Sequence, residues 1–342
     1  MQNLMKGSYS KSFHSMILNK FIKRYSFTFI YNRYILLNAQ NLRGNWGTLL
    51  LPVNADETID YFRLADELDY LIAAGLNGIY SNGTAGEFHN QTEQEFDAVQ
   101  VVLSERCLRA GMPFQIGAAN PSPLISLERI RRSVSLKPDA FQVILPDWVT
   151  ANEKEQLDFL NRLSDAASGI PLVLYNPPHA KKVLTPAQLQ ILRNAIPQLI
   201  GAKLTGGNKE WFDAMHWSIN TFSVFVPGHF LASGVQTKVA DGAYSNVACL
   251  SPSGSQAWWQ LMQTDMPAAL EMQKRILSFF DECIVPYIKA GYSNPALDKL
   301  LAAAGGWAPV GTRLRWPYQW IPEEEVKHVA LKARSWLPEF FV

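Results

Sequence analysis

An α/β fold of the TIM (β/α)8 type, with a C-terminal helical extension, is the class this sequence predicts. Three observations lead there. From Gly44 onward, short β-rich apolar runs alternate with amphipathic helical stretches in roughly eight successive units. Several of the runs end at proline, glycine or asparagine, as strands leading into loops do. The turn after the first run, Thr48-Leu-Leu-Leu-Pro52, lacks the glycine-rich fingerprint that an open doubly wound sheet normally places there.

Gly44–Val53 reads as the first strand, ending around Pro52. Over Asp56–Ala74, Ile59, Phe62, Ala65, Leu68, Leu71 and Ile72 recur three and four apart, which predicts a helix capped by Asp56 and stopped by Gly75. Leu76–Ser81 is the second strand and opens into the loop Asn82-Gly-Thr-Ala-Gly-Glu87. Thr92–Ala110 starts with Thr92 and Glu95 in capping-box spacing. Pro113–Ala119 is a strand, Leu124–Leu136 a helix, Ala140–Leu145 a strand stopped by Pro146, and Asn152–Ala167 a helix. Pro171–Tyr175 is the fifth strand, broken by Asn176-Pro-Pro178, and Thr185–Asn194 is a helix with Pro186 in its first turn. The sixth strand runs into Lys203, followed by a helix near Lys209–Trp217. Phe222–Val226, a short helix over Leu231–Val239, and an eighth strand at Ala243–Ala248 complete the ring. Helices at Gly254–Gln263, Pro267–Lys289, Pro295–Ala304 and Pro322–Leu337 follow. The barrel is thus expected over residues 41–250 and the helical extension over 251–342.

The chain has 342 residues, 48% hydrophobic and 18% charged, with a formal net charge of +1. Those proportions suit a globular chain with a large core and give no basic field for nucleic acid. Cys107, Cys249 and Cys283 have neither metal spacing nor a disulfide framework, so a reducing, cytoplasmic setting is the simplest reading. No run is long and uncharged enough to span a bilayer, so no membrane partner is expected. Residues 1–40 stand apart: Lys6, Lys11, Lys20, Lys23, Arg24 and Arg33 precede the first acidic residue, Asp56. This extension reads as a disordered segment, an organelle-targeting peptide or an over-called start.

In a barrel, chemistry gathers at the carboxyl ends of the strands. There stand Gly83 and Thr84 after strand two, Trp148 after strand four, Tyr175 at the end of strand five, Lys203 at the end of strand six and His229 after strand seven. Lysine is rarely buried without a task or a partner. An amine in an apolar pocket loses proton affinity, so Lys203 is expected to fall from about 10.4 toward roughly 7–8 and to attack a carbonyl carbon. Tyr175 supplies a proton carrier, and the Gly83-Thr84 loop supplies N–H groups and a hydroxyl for an anion. Taken alone, Lys203 also fits a strand-end lysine that snorkels to solvent, Tyr175 a core tyrosine and Thr84 an ordinary loop residue.

The segments Gly83-Thr84-Ala85-Gly86-Glu87, Tyr175-Asn176-Pro177-Pro178 and Gly201-Ala202-Lys203-Leu204-Thr205-Gly206 resemble the signatures of the dihydrodipicolinate synthase / N-acetylneuraminate lyase family, in the same order. The resemblance covers about residues 44–330. It implies a Schiff-base aldolase in which Lys203 attacks the keto carbon of pyruvate or a related 2-oxo acid, and the iminium serves as an electron sink. Tyr175 would then move protons at the carbinolamine and the aldehyde oxygen. Thr84 would bind the substrate carboxylate, aided by the N–H groups of Thr84 and Ala85. Gly83, Thr84, Ala85, Trp148, His179 and Tyr244 form the expected substrate-binding set. The partners implied are a small 2-oxo acid and an aldehyde, with no cofactor and no metal, in a homotetramer or homodimer.

The sequence departs from the lysine-pathway synthases of that family. Ala180 stands where those enzymes carry an arginine, and Trp148 where they carry a second tyrosine; an indole cannot relay protons as a phenol does. Ala85 replaces a hydroxyl residue, and His229 stands where an acid is common. Trp148 and His179 are instead expected to line an aromatic or apolar acceptor pocket. Glu87 reads as a structural carboxylate paired with loop N–H groups. His89, His179 and His229 match no metal-ligand spacing. A non-catalytic 2-oxo acid binder is the reading from a different class, and retention of both Lys203 and Tyr175 speaks against it.

Overall fold

The computed structural model describes residues 36–342. The predicted basic extension therefore lies, up to residue 35, outside the described residues. Eight parallel strands close into a barrel in sequence order: β1 (Gly44–Thr48), β2 (Gly78–Tyr80), β3 (Phe114–Gly117), β4 (Ala140–Val143), β5 (Leu172–Tyr175), β6 (Leu199–Lys203), β7 (Ser223–Pro227) and β8 (Ala240–Tyr244). The ring closes where Gly44 pairs with Gly242. A Cβ on Gly242 would lie 2.3 Å from the Gly44 carbonyl oxygen, so the seam admits no side chain there.

Helices cover the outside: α1 (Tyr61–Ala73), α2 (Glu93–Ala110), α3 (Pro123–Ser133), α4 (Glu153–Ala166), α5 (Pro186–Ala195), α6 (Lys209–Ala214) and α7 (Leu231–Gln236). The remaining helices are α8 (Asn246–Leu250), α9 (Pro252–Thr264), α10 (Met266–Cys283), α11 (Val285–Lys289), α12 (Asn294–Gly305) and α13 (Glu323–Trp336). Two apolar cores result. One fills the barrel and includes Trp46, Tyr80, Val173, Ile200, Phe225 and Tyr244, with Leu37 and Leu42 packed into the same cluster from ahead of β1. The larger one lies between the strands and the helices and continues into α9–α13. No helix of the described residues is long and apolar enough to cross a membrane.

Capping explains most helix starts. Thr92, Asn152 and Thr185 each accept from the backbone three residues on, and Glu95, Glu155 and Gln188 reach back to complete capping boxes. Several boundaries differ from the sequence expectation, three of them for a plain local reason. The first helix is capped by Asp60, which accepts from the Phe62 and Arg63 N–H groups; Asp56 instead accepts from Thr58 in a turn closed by the Val53–Ile59 bridge. The eighth strand is Ala240–Tyr244, because Ser245 turns the chain by capping α8 through the Ala248 N–H. The long helix predicted over residues 267–289 divides into α10 and α11, since Pro286 has no N–H to continue the ladder.

Candidate active site

β5 and β6 are neighbours, and their register sets Tyr175 beside Lys203. Both are the last residues of their strands, so both side chains stand at the barrel mouth. Lys203 Nζ donates to Tyr80 Oη at 3.2 Å and sits 4.5 Å from the centre of the Tyr175 ring and 5.7 Å from that of Tyr244. Thr84 Oγ1 and Tyr175 Oη are 3.1 Å apart and hydrogen-bonded. Tyr80 in turn accepts from Thr48 Oγ1 at 2.8 Å, and Tyr244 donates to Gln115 Oε1 at 2.7 Å. Gly83 permits the loop to cross this group, for a Cβ there would lie 2.7 Å from the Tyr80 ring. The predicted trio Lys203, Tyr175 and Thr84 is thus brought together. Tyr80 is an addition; its place next to the end of the expected second strand, Leu76–Ser81, was the available signal.

The charge state of the lysine differs from the sequence expectation. Burial does push Lys203 down, but the oxygens of Tyr80 and Tyr175, the hydrogen bond to Tyr80 and the Asp298 carboxyl outweigh it. The amine therefore lies above the ordinary lysine range, not near 7–8, and rests as an ammonium. Burial pushes the Tyr80 phenol up, against the pull of Lys203 and Thr48, so it stays protonated at neutral pH. The apolar run leading into Lys203 describes the strand it leaves; the oxygens around its tip come from β2, β5 and α12.

Two cavities meet at Tyr175. One, of about 370 Å³, is lined by Thr48, Tyr80, Lys203 and Tyr244 from the barrel and by α10–α12, including Phe280, Leu297 and Asp298. The other, of about 220 Å³, is lined by Thr84, Tyr175, Trp148, His179 and Ala180. Trp148 and His179 thus share a cavity with Thr84 and Tyr175, though Lys203 does not line it. Trp148 is 82% exposed at the rim, and Lys181 Nζ lies 4.7 Å from the centre of its ring. His179 is exposed as well. Gly83 and Ala85 are buried in the loop beneath Thr84.

Glu87 does not serve the loop N–H groups. It forms an ion pair of 2.6 Å with Lys299 of α12, both side chains almost wholly enclosed, and Lys299 also donates to the Arg313 carbonyl at 2.6 Å. A buried lysine 212 positions away satisfies this carboxylate, and nothing in the local loop sequence marks it. The three histidines are far from forming a set. His89 packs edge-on to Tyr318, and His229 bonds Asn246 at 2.8 Å and stacks on Phe280. Among the described residues no group of His, Cys, Asp or Glu is arranged to hold a metal ion. Trp307 donates to the Cys249 carbonyl and is packing, whereas Trp316 is 76% exposed.

The chain is similar to known proteins along most of its length. The model of the dihydrodipicolinate synthetase family matches residues 41–334. The trans-o-hydroxybenzylidenepyruvate hydratase-aldolase of Pseudomonas aeruginosa is 22% identical over 326 residues, covering 88% of this chain and 93% of that protein. The 4-hydroxy-tetrahydrodipicolinate synthase of Thermomicrobium roseum is 30% identical over 234 residues, covering 67% and 70%. Among solved structures, a prophage protein of the dihydrodipicolinic acid synthase family from E. coli, in complex with pyruvate, superposes with a TM-score of 0.75 at 20% identity, over 86% of this chain and 98% of its own. The sialic acid aldolase of Ruminococcus gnavus gives 0.73 at 19% identity, over 88% and 99%. The chain belongs to the dihydrodipicolinate synthetase family and is an enzyme of the lyase class.

Proposed function

We propose that this lyase is a Schiff-base aldolase that makes or cleaves a carbon–carbon bond at the carbon next to the keto carbon of pyruvate or a related 2-oxo acid. One observation carries the reading. Lys203 Nζ opens into a cavity beside two phenols and is not locked in an ion pair with a carboxylate. An ammonium hydrogen-bonded only to a phenol can give up a proton to the site and present a lone pair; one locked in contact with a carboxylate cannot do so cheaply.

In this reading Lys203, as the neutral amine, adds to the keto carbon. Tyr175, hydrogen-bonded to Thr84, gives the carbinolamine oxygen the proton it needs to leave as water. The iminium then draws electrons from the neighbouring carbon, and the enamine either joins an aldehyde or is left when one departs. Thr84 and the N–H groups of Thr84 and Ala85 hold the 2-oxo acid carboxylate, and Tyr244 walls the other side of the lysine. Trp148 and His179, at the rim of the cavity that Thr84 and Tyr175 line, border the acceptor. An aromatic aldehyde fits that rim, and the hydratase-aldolase relatives, named for a hydroxybenzylidenepyruvate, support the choice. The three buried free cysteines fit a cytoplasmic location, and a homo-oligomer is part of the same proposal.

A second reading, synthesis of 4-hydroxy-tetrahydrodipicolinate, is favoured by the 30% identity to enzymes of that name. Ala180 and Trp148 weigh against it, since neither grips a second carboxylate nor relays a proton. Borohydride reduction with pyruvate tests the main reading. Intact mass should rise by one reduced pyruvate adduct, mapped to Lys203. A non-catalytic binder would give no adduct.

A further inference from the structure

The cavity beside Lys203 has an acid that the reaction scheme above leaves idle. Asp298 is carried on α12, well outside the barrel in sequence, yet it lines the same cavity as Lys203, Tyr80 and Tyr175. Most of the surroundings that α10–α12 supply are apolar: Leu277, Phe280, Ile284, Leu297 and Leu301. The other carboxylate lining this cavity, Asp281, is exposed to solvent. Asp298 interacts electrostatically with Lys203 but closes no ion pair or hydrogen bond with it. Room is therefore left between amine and carboxyl, and the carbon chain attached to Lys203 would occupy it.

The position of Asp298 is fixed from behind. Its neighbour Lys299 is enclosed in the ion pair with Glu87, which belongs to the same loop as Thr84. The helix that presents the acid is thereby tied to the loop that presents the hydroxyl. The two ends of the proposed substrate, carboxylate and acceptor, would meet groups whose spacing one buried contact maintains.

We propose that Asp298 is the acid–base residue of the carbon–carbon step, receiving the proton of the substrate hydroxyl as the bond breaks and returning it to the aldehyde oxygen when the bond forms. The inference rests on the Schiff-base reading and divides the proton traffic differently. Tyr175 serves the carbinolamine, on the Thr84 side. Asp298 serves the acceptor oxygen, on the α12 side, while the far end of the acceptor reaches past Tyr175, where the two cavities meet, to Trp148 and His179. In cleavage the hydroxyl O–H electrons form the new carbonyl, and its proton goes to the Asp298 carboxylate. The pair from the broken carbon–carbon bond moves into the iminium, which becomes the neutral enamine. Synthesis is the reverse, so no oxidant, reductant or metal is consumed. Burial pushes the Asp298 carboxyl up to about 7 while Lys203 pulls it back. A carboxyl near neutrality is well matched to pass a proton in both directions.

The test separates the two proton carriers. Wild type, Asp298→Asn and Asp298→Ser are compared on three readouts: borohydride trapping of pyruvate on Lys203, exchange of the pyruvate methyl protons in deuterium oxide, and pyruvate consumption with a panel of aldehydes that includes benzaldehyde. Asp298→Asn keeps the shape of the side chain, and the serine variant guards against a misfolded amide. We expect trapping and exchange within about threefold of wild type, and aldehyde-dependent consumption reduced by about 10²–10⁴-fold. Consumption within threefold of wild type in both variants overturns the assignment. So does a parallel fall in all three readouts, which would make Asp298 only an electrostatic partner of Lys203. A wild-type enzyme that traps and exchanges pyruvate yet joins it to no aldehyde also counts against the assigned step. Absence of trapping in wild type instead overturns the Schiff-base reading itself, and this inference with it.

Discussion

Two lysines, Lys203 at the barrel mouth and Lys299 on α12, are both taken out of bulk water and have been given opposite surroundings. Lys299 is fully enclosed, paired with Glu87 at 2.6 Å and bonded to the Arg313 carbonyl. Lys203 keeps one face on a cavity and touches only phenols. Their proton affinities move in opposite directions. Burial dominates at Lys299 and lowers it despite Glu87, whereas at Lys203 the surrounding oxygens and Asp298 outweigh burial and raise it. A buried lysine is thus no indicator of chemistry. What distinguishes the two is the partner: an enclosed carboxylate at Lys299, phenols bordering an open cavity at Lys203.

Replacing each lysine in turn is the strongest way to break this contrast. Lys203→Ala should abolish turnover and the pyruvate adduct while leaving the thermal transition near that of wild type; activity equal to wild type would show that the assignment of the two lysines is wrong. Tyr175→Phe keeps the packing of the ring and removes the hydroxyl bonded to Thr84. It should lower kcat by about 10²–10⁴-fold with the adduct still detectable on long incubation. Lys299→Ala should do the opposite of Lys203→Ala. It leaves the Glu87 carboxylate buried without its cation, which costs on the order of 3–5 kcal/mol in denaturant unfolding. Adding Glu87→Gln should restore part of that loss, because the stranded charge is then gone. A double variant no more stable than the single one would mean that the pair acts through packing alone.

The smallest effect concerns an acid on β8 with a looser partner. Asp241 accepts from the Val224 N–H and lies 3.5 Å from the part-exposed Arg43 guanidinium. Burial pushes its carboxyl up to about 6, with the Val224 N–H and Arg43 pulling back. Because that is above the ordinary value near 3.9, the fold favours the protonated form. Stability should therefore decline between about pH 4 and pH 6, by about 1–3 kcal/mol, and then level off. Asp241→Asn should flatten that segment of the curve, as read from unfolding midpoints at each pH.

The parts of the fold that local chemistry decides were legible. The eight strand-and-helix units show as alternation broken by Pro and Gly, and Thr92 with Glu95 announced its helix correctly. Lys203, Tyr175 and Thr84 could be grouped because parallel strands put their ends on one rim. The eighth strand was placed three residues late because the apolar run through Ala248 continues past the turn, and only Ser245 marks the change. Asp298 and Lys299 could not be assigned roles from the sequence. Adjacent charges on an amphipathic helix look like a solvated edge until α12 is known to close over the barrel. The protonation of Lys203 was misjudged for the same reason, as the groups that set it arrive from three other elements.

The Glu87–Lys299 contact also dictates an order of events during synthesis. A nascent chain can pair all eight strands once β8 has emerged, but the loop bearing Thr84 still lacks its tether, which lies more than fifty residues further on. The ribosome must therefore deliver the tail before the mouth of the barrel acquires its final shape, and a ring without it carries Lys203 and Tyr175 at a rim whose Thr84 loop is still untied.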